Sequence, residues 1–241
     1  MNKSGIKKLM PYIYVSGFAI LIGILQGIVS KVIVNGYFLL DESPKVSDYL
    51  NYILMSDRFG EYVYLEKGDL QLLFQPVVFY MCGLFVAGYN FLWKDKGYYQ
   101  FVYSRLGNER ELVNELFFEK ISLIFVYCIL YMITIFLMGI CSFDGSIDLV
   151  ILQGMVWNCV NKIAFLIMLK SLLLHIYLRK GLAKSVLYGC IFSGMFIMLD
   201  AMLGDINFVL YSLKSPYTVL AEILVCIISV RMLKKIDLLN I

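Results

Sequence analysis

Histidine is almost absent from this sequence: its 241 residues include only His175. A zinc protease of the H-E-x-x-H type is therefore excluded. The G-x-S-x-G motif of serine hydrolases is missing, so a Ser–His–Asp site would have to be built around His175 alone. The G-x-x-x-x-G-K-[ST] loop that binds nucleotide phosphates is missing as well. We therefore expect no catalytic residues, no metal and no cofactor in this chain, and an enzyme is the least favoured class.

Paired cysteine motifs are also lacking. The six cysteines, at positions 82, 128, 141, 159, 190 and 226, include no C-x-x-C pair, and all but Cys141 lie in apolar stretches. This spacing argues against a zinc site or a disulfide framework. We expect them to be small packing residues.

Charge is scarce, and apolar residues are abundant. Only 16% of the residues are charged and 61% are hydrophobic, with a mean hydropathy of +0.79. A soluble domain is usually about 25% charged and about 45–50% apolar. The apolar residues form blocks of the length, roughly 20 residues, that a helix needs to span a bilayer. The sequence therefore predicts a multi-pass membrane protein.

Six such segments can be drawn along the chain. They run from Pro11 to Leu40, Leu70 to Trp93, Phe117 to Ile140, Leu149 to Tyr177, Val186 to Leu203 and Pro216 to Leu233. Every backbone polar group in lipid must be paired within the protein, so the segments are helices and the fold class is all-α. No repeat or second domain is visible, so residues 1–241 are one transmembrane domain.

Basic residues set the expected orientation. They cluster in the N-terminus, in the loops after the second and fourth segments, and in the C-terminus, whereas the other loops have few. The positive-inside rule therefore places both termini in the cytoplasm. The longest loop on the opposite side, about 41–69, has seven acidic against three basic residues. We expect its aromatic stretch from Tyr49 to Met55 to lie on the membrane surface.

Small residues mark one face of the first segment. Ala19, Gly23 and Gly27 are spaced four apart, so they share a helix face on which another backbone can approach closely. The partner helix belongs either to this chain or to a second subunit.

Polar residues inside the predicted membrane segments are the usual pointers to function. The candidates for a transport path are Asn158, Asn161, Lys162, Asp200 and Glu222. Lys162 is the costliest to bury. It either lines a cavity or makes a structural pair. These charges are too few and too scattered for an ion relay, which disfavours an ion-coupled transporter.

The cytoplasmic loop of about 94–116 has the most distinctive pattern. Gly97 and Gly107 bracket a short helix on which Tyr99, Tyr103 and Leu106 share a face. Asn108 can cap a following helix, which we expect to continue directly into the third membrane segment. An ordinary charged linker is the alternative, but it would not need an aligned apolar face.

This arrangement resembles the ABC-2 type permeases of bacterial ABC exporters, in the small Gram-positive form found with bacteriocin or lantibiotic exporters. Many Gram-positive members have an arginine-leucine-glycine turn before a charged helix in this loop, as in residues 104–110, SRLGNER. The resemblance implies a six-helix bundle like that of type V exporters. It also implies a loop that contacts an ATPase through Tyr99, Tyr103, Arg105, Leu106, Gly107, Asn108, Glu109 and Arg110. Glu109 and Glu111 depart from the more basic family pattern.

The same resemblance sets the functional expectation. The chain would be a permease subunit in a bacterial plasma membrane, surrounded by lipid and paired with a second permease chain, identical or related. Two copies of a separate ATP-binding subunit would hold ATP and Mg, and no nucleic acid is involved. The cargo would be an amphipathic peptide or lipid-like molecule. The alternative is a membrane-embedded immunity protein that sequesters a toxin through its acidic outside loop, without an ATPase.

Overall fold

The computed structural model describes the backbone of residues 3–37, 43–54, 58–59, 63–64, 70–89, 116–203 and 217–233. It describes the side chains of residues 9–36, 43–54, 75–89, 116–199 and 220–232. Within these ranges four helices are long and apolar enough to cross a membrane. They are Leu9–Gly36, Leu116–Ser142, Leu149–Lys180 and Leu182–Leu199. Apart from one short pair of strands, the regular structure in the described ranges is therefore helical, with the apolar helices of a membrane protein.

The elements follow the predicted segments closely. The helices are α1 (Lys3–Tyr37), α2 (Val46–Ile53), α3 (Leu70–Ala87), α4 (Ile121–Ser142), α5 (Leu149–Lys180), α6 (Leu182–Leu203) and α7 (Tyr217–Leu233). Two short strands, β1 (Arg58–Phe59) and β2 (Val63–Tyr64), pair antiparallel between α2 and α3. Apart from α2, each described helix coincides with one predicted membrane segment, because an apolar run of this length can satisfy its backbone only as a helix.

The small-residue face of α1 packs on α4 of the same chain. A Cβ atom added at Gly23 would lie 2.8 Å from Cβ of Thr134, and one at Gly27 would lie 2.9 Å from Cβ of Met138. Ala19, on the same face, is fully buried. The prediction that this face contacts another helix is confirmed, and the partner is within the chain.

Helix α2, which overlaps the stretch that we expected on the membrane surface, packs against α1 and α4. Its apolar side chains recur at helical spacing, and Tyr49, Leu50 and Ile53 are buried against α1 and α4. The Tyr49 hydroxyl donates to the carbonyl of Ile135 at 3.2 Å. Burial raises the pKa of Tyr49 well above its ordinary value, so the phenol stays neutral and acts as a donor.

Two hydrogen bonds fix the start of α2. The Asp48 carboxylate accepts the backbone N–H of Lys45 at 2.8 Å, which satisfies a donor at the start of α2. The N–H of Val46 donates to the carbonyl of Asp144, in the connection between α4 and α5, at 3.1 Å. The segment between α1 and α3 is thereby joined to the bundle at its first helix.

Helix α5 is the centre of the bundle, because it packs against α3, α4, α6 and α7. A single residue, Gly181, separates it from α6. The backbone of Gly181 has φ 82° and ψ −178°, a conformation that is essentially restricted to glycine. The tight turn therefore depends on the missing side chain at this position.

The helix that precedes α4 does not continue into it, contrary to the sequence prediction. Residues 116–118 are helical, but Lys120 has φ 58° and ψ 19°, which is the left-handed conformation. Such values are uncommon for a residue with a side chain. They interrupt the regular hydrogen bonds between Phe118 and Ile121, so α4 begins at a break.

Candidate functional site: a buried lysine in an aromatic core

Lys162 lies in the middle of the bundle, on the face of α5 that meets α3. Only 8% of its surface is exposed. Its Nζ lies 5.2 Å from the ring centroid of Phe79 and 5.7 Å from that of Tyr80. Within the described part of the chain, no carboxylate forms a salt bridge with it. The aromatic rings are therefore its principal described partners, through cation–π contacts.

The cost of burying the lysine can be compared with the gain from its cation–π contacts. A lysine at the centre of a bilayer costs about 2.5–3.5 kcal/mol on insertion scales. A desolvated cation–π contact contributes about 2 kcal/mol. The two effects are of similar size, so the aromatic rings can offset most of the cost of a positive charge at this site.

Two amides accompany the lysine on α5. Asn158, one helical turn before Lys162, is 2% exposed, and Asn161 is 6% exposed. Neither side-chain carbonyl oxygen accepts a hydrogen bond from any described residue. Because buried acceptors are nearly always paired, these oxygens are available to a water molecule or to another polar group.

The residues that we predicted to line a transport path do not all lie in one site. Glu222 of α7 is buried beside a groove. The α5 wall of this groove is formed by Val160, Ile163, Ala164 and Ile167. Lys162 lies on a different face of α5, the one that meets α3. Asp200 falls in α6, and its side chain is outside the described residues. The structure thus divides the candidates between the Lys162 site and a groove at α7.

A buried polar network lies on the other side of the aromatic core. Gln26 donates through Nε2 to the carbonyl of Gln75 at 2.9 Å, and Ser30 Oγ donates to the carbonyl of Gln26 at 2.6 Å. Gln75 Nε2 also donates to Ser30 Oγ, and the Tyr131 hydroxyl donates to Oε1 of Gln26. The four side chains join α1, α3 and α4 by hydrogen bonds that lipid cannot replace.

Aromatic rings connect this network to the lysine. The Phe79 ring lies 4.5 Å from the ring of Tyr131 and 5.0 Å from that of Tyr127, measured between centroids. The hydroxyl of Tyr127 donates to the carbonyl of Phe79 at 3.0 Å. A displacement of α3 would therefore change the surroundings of Lys162 and of Gln26 together.

Part of this site could be recognised from the sequence. Gln26, Ser30 and Gln75 are polar residues within apolar segments, and such residues mark functional or packing sites in membranes. Phe79 and Tyr80 gave no such signal, since aromatic residues are frequent throughout the chain. Their role depends on which helix packs against α5.

A second buried lysine, Lys170, donates a hydrogen bond to the backbone just before the break that precedes α4. It is 1% exposed, and its Nζ donates to the backbone carbonyl of Glu119 at 2.7 Å. The left-handed Lys120 follows directly and removes Glu119 from the regular helical pattern. Lys170 therefore holds the junction between the preceding loop and α4 against α5.

The predicted contact with an ATPase falls outside the described residues. This applies to Tyr99, Tyr103, Arg105, Leu106, Gly107, Asn108, Glu109 and Arg110. In the ranges that are described, no group of three or more histidine, cysteine, aspartate or glutamate side chains is placed to hold a metal ion.

Comparisons with known proteins give no relative: no family model, no curated protein and no solved structure matches the chain.

Proposed function

We propose that this chain is the permease subunit of an ATP-driven exporter of the ABC-2 type, with six membrane-spanning helices and both termini in the cytoplasm. The observation that carries the proposal is the SRLGNER pattern at residues 104–110 together with the helix break that follows it. Lys170 of the central helix α5 donates a hydrogen bond to Glu119 at that break. A loop that receives force from an ATPase needs such a connection to the bundle.

The six-span arrangement extends the four long helices by α3 and α7. These two helices have 18 and 17 residues. At 1.5 Å per residue they are about 27 Å and about 26 Å long, close to the hydrocarbon thickness of about 30 Å. Six spans put the basic loops on one side of a bacterial plasma membrane, and the N- and C-termini with them.

In this proposal two permease chains, identical or related, enclose a path, and two ATP-binding subunits supply the energy. Closure of the ATPases moves the loop and the start of α4 as a rigid body. The junction at Glu119 passes this motion to α5, on which Lys162 and its aromatic partners lie. The cargo is amphipathic, because the bundle offers apolar faces with few charges.

A sequestering immunity protein without an ATPase is the rival function. It is motivated by the acidic loop at about 41–69. The packing of α2 against α1 and α4 makes the first part of that loop a rigid extension of the bundle.

The deciding experiment changes the aromatic face of the cytoplasmic loop. Tyr103→Ala combined with Leu106→Ala should abolish most ATPase capture from the native host, because buried aromatic and aliphatic anchors dominate such contacts. Arg110→Ala should reduce capture much less, since a rim charge contributes about 0–1 kcal/mol. The measurement is co-purification of an ATPase with the tagged permease, together with its ATP hydrolysis.

The melting temperature of each loop variant serves as the control for folding. Normal capture by the double variant would show that this loop is not the coupling element. If the native chain captures no ATPase at all, the permease proposal fails and the sequestering function takes its place.

A second prediction concerns the junction. Lys170→Met removes the bond to the Glu119 carbonyl but keeps an unbranched side chain of similar reach. ATPase binding should persist, while cargo-stimulated hydrolysis should fall by about 2- to 30-fold, the range expected when a coupling network loses about 0.5–2 kcal/mol. Lys184→Met, at an exposed lysine of α6, is the matched control and should leave stimulation unchanged. Equal stimulation in both variants would remove Lys170 from the coupling route.

A further inference from the structure

A groove of about 580 Å³ lies between α1 and the end of α3. Its described walls are Tyr14, Val15, Phe18, Phe85, Val86 and Tyr89. This volume falls in the range of about 300–1,000 Å³ that is typical of pockets for a single small ligand. None of these described wall residues is charged. The groove therefore favours an occupant with an apolar body.

The groove can be entered from outside the bundle. Tyr14 is 61% exposed and Phe85 is 48% exposed, so an apolar chain in the surrounding lipid can reach both walls. Further along α1, the side chain of Gln26 donates to the carbonyl of Gln75 and joins the two helices. Gln26 lies about 18 Å along the helix from Tyr14, at about 1.5 Å per residue. The cleft between α1 and α3 is thus closed at Gln26 and open near the start of α1.

The first turns of α1 are basic. Lys3, Lys7 and Lys8 lie there, and the sequence of α1 contains no acidic residue. The helix dipole disfavours cations near a helix N-terminus, so this placement does not serve the stability of α1 itself. An anionic partner outside the helix would offset that cost.

The helical repeat connects the basic residues to the groove. Lys7 precedes Tyr14 by about two helical turns, so the two residues lie on the same face of α1, as does Phe18. The axial distance from Lys7 to Tyr14 is about 10.5 Å. The headgroup region on each side of a bilayer is about 5–7.5 Å thick. With the groove at the edge of the hydrocarbon, the basic start of α1 therefore lies at the headgroups.

We propose that this groove binds an anionic phospholipid, with one acyl chain between α1 and α3 and the phosphate beside the basic start of α1. Charge complementarity selects an anionic lipid over a neutral one. Each lysine near the membrane surface strengthens such binding about fivefold, the change that corresponds to about 1 kcal/mol. The proposal goes beyond export and does not depend on an ATPase.

The size and composition of the groove favour a lipid over a protein partner. A stable protein interface takes about 20–30 residues from each side. The described lining of this groove amounts to six residues. Tyr14 and Tyr89 also place tyrosine rings in the walls, and tyrosine is enriched at the level of the lipid headgroups.

The experiment is a native mass-spectrometry titration of the purified full chain in detergent. The two probes are dioleoylphosphatidylglycerol and dioleoylphosphatidylcholine, which have the same acyl chains and differ in headgroup charge. The native protein should bind the anionic lipid more tightly. Lys7→Gln combined with Lys8→Gln should weaken that binding by about 30-fold, because two lysines are lost, and should leave the neutral lipid unaffected.

The matched control for the lysines is Lys180→Gln combined with Lys184→Gln. Both residues are exposed, and they flank the turn at Gly181 rather than the groove. This double variant should bind the anionic lipid like the native protein. An equal loss in the two double variants would show general attraction to positive charge and would overturn the proposal.

A second pair of variants tests the groove wall. Phe85→Ala should weaken binding of both lipids by about fivefold, the loss expected when the apolar contact of one half-exposed ring is removed. Phe125→Ala, at a ring of similar exposure in the groove between α4, α5 and α7, should leave binding unchanged. If Phe85→Ala lowers the melting temperature, the lysine pair is the decisive comparison.

Two further results would reject an anionic lipid in this groove. Equal affinity of the native protein for the two lipids would show that the groove takes acyl chains without regard to charge. Full binding by a stable Phe85→Ala variant would show that the lipid lies on the surface of α1 and not between the helices.

Discussion

Lys162→Glu should destabilise the bundle by roughly 3–5 kcal/mol, the cost of leaving a buried charge without compensation. The ring faces of Phe79 and Tyr80 are negative, so they attract the native ammonium but repel a carboxylate. For a chain of this size, each kcal/mol lowers the melting temperature by about 2–4 °C. A thermal melt in detergent therefore measures the effect directly.

The matched control for that substitution is Lys180→Glu. Lys180 also lies over a tyrosine, with its Nζ 5.1 Å from the ring centroid of Tyr188, but it is exposed at the end of α5. An exposed cation–π contact contributes only about 0.5–1 kcal/mol. If Lys162→Glu melts no lower than Lys180→Glu, the charge of Lys162 is not held by the aromatic core.

A neutral variant separates stability from the proposed transport at the same position. Lys162→Leu removes both the cost of the buried charge and the cation–π contact, so the free energy of unfolding should change little. Transport should nevertheless be lost if the charge contributes to the path. A fully active Lys162→Leu protein would assign the lysine a packing role alone.

The second large effect is expected at Gly139, where α4 passes α2. A Cβ atom there would lie 2.6 Å from Cδ1 and 2.7 Å from Cε1 of the buried Tyr49 ring. Gly139→Leu should therefore push α2 away from the bundle and cost about 1–3 kcal/mol, as overpacked cores do. The expected fall in melting temperature is about 2–12 °C.

Gly17→Leu tests whether this effect is local. A Cβ atom at Gly17 would meet no heavy atom within 4 Å, so the substitution should be nearly neutral. Tyr49→Ala removes the opposing ring. Adding Gly139→Leu to the Tyr49→Ala variant should therefore cost less stability than adding it to the native protein. A Gly139→Leu protein that melts like the native one would contradict the tight approach of α2.

The long helices were predictable because an apolar segment in lipid must pair its backbone N–H and C=O groups within the protein, and a helix is the common way to do so. The contact face at Gly23 and Gly27 followed from residue size alone. Burial of α2 was not predictable: an aromatic stretch of that length can lie on a membrane or pack on a protein, and the shape of α1 and α4 decides. The break at Lys120 carried no sequence signal either, since lysine is a good helix former. The residue before the break, Glu119, is bonded by Lys170, which lies fifty-one residues further along the chain.

For the candidate site, the sequence identified the charged member but not its surroundings. Lys162 could be found because charge is rare in an apolar segment. Its partners on α3 depend on the rotation of two helices about their axes, which is set by packing contacts along the whole bundle. The division between the Lys162 face and the Glu222 groove has the same origin, because spacing along one helix does not show what the neighbouring helices cover.

The one-residue connection at Gly181 also bears on how the protein is made. Helices α5 and α6 cannot separate by more than the reach of this turn, so they should enter the membrane as a pair rather than one after the other. Arg179, Lys180 and Lys184 flank the turn, and in the proposed orientation they would hold it on the cytoplasmic side during insertion. A flexible linker inserted after Gly181 would let the two helices insert independently, and misoriented chains should then accumulate during biosynthesis.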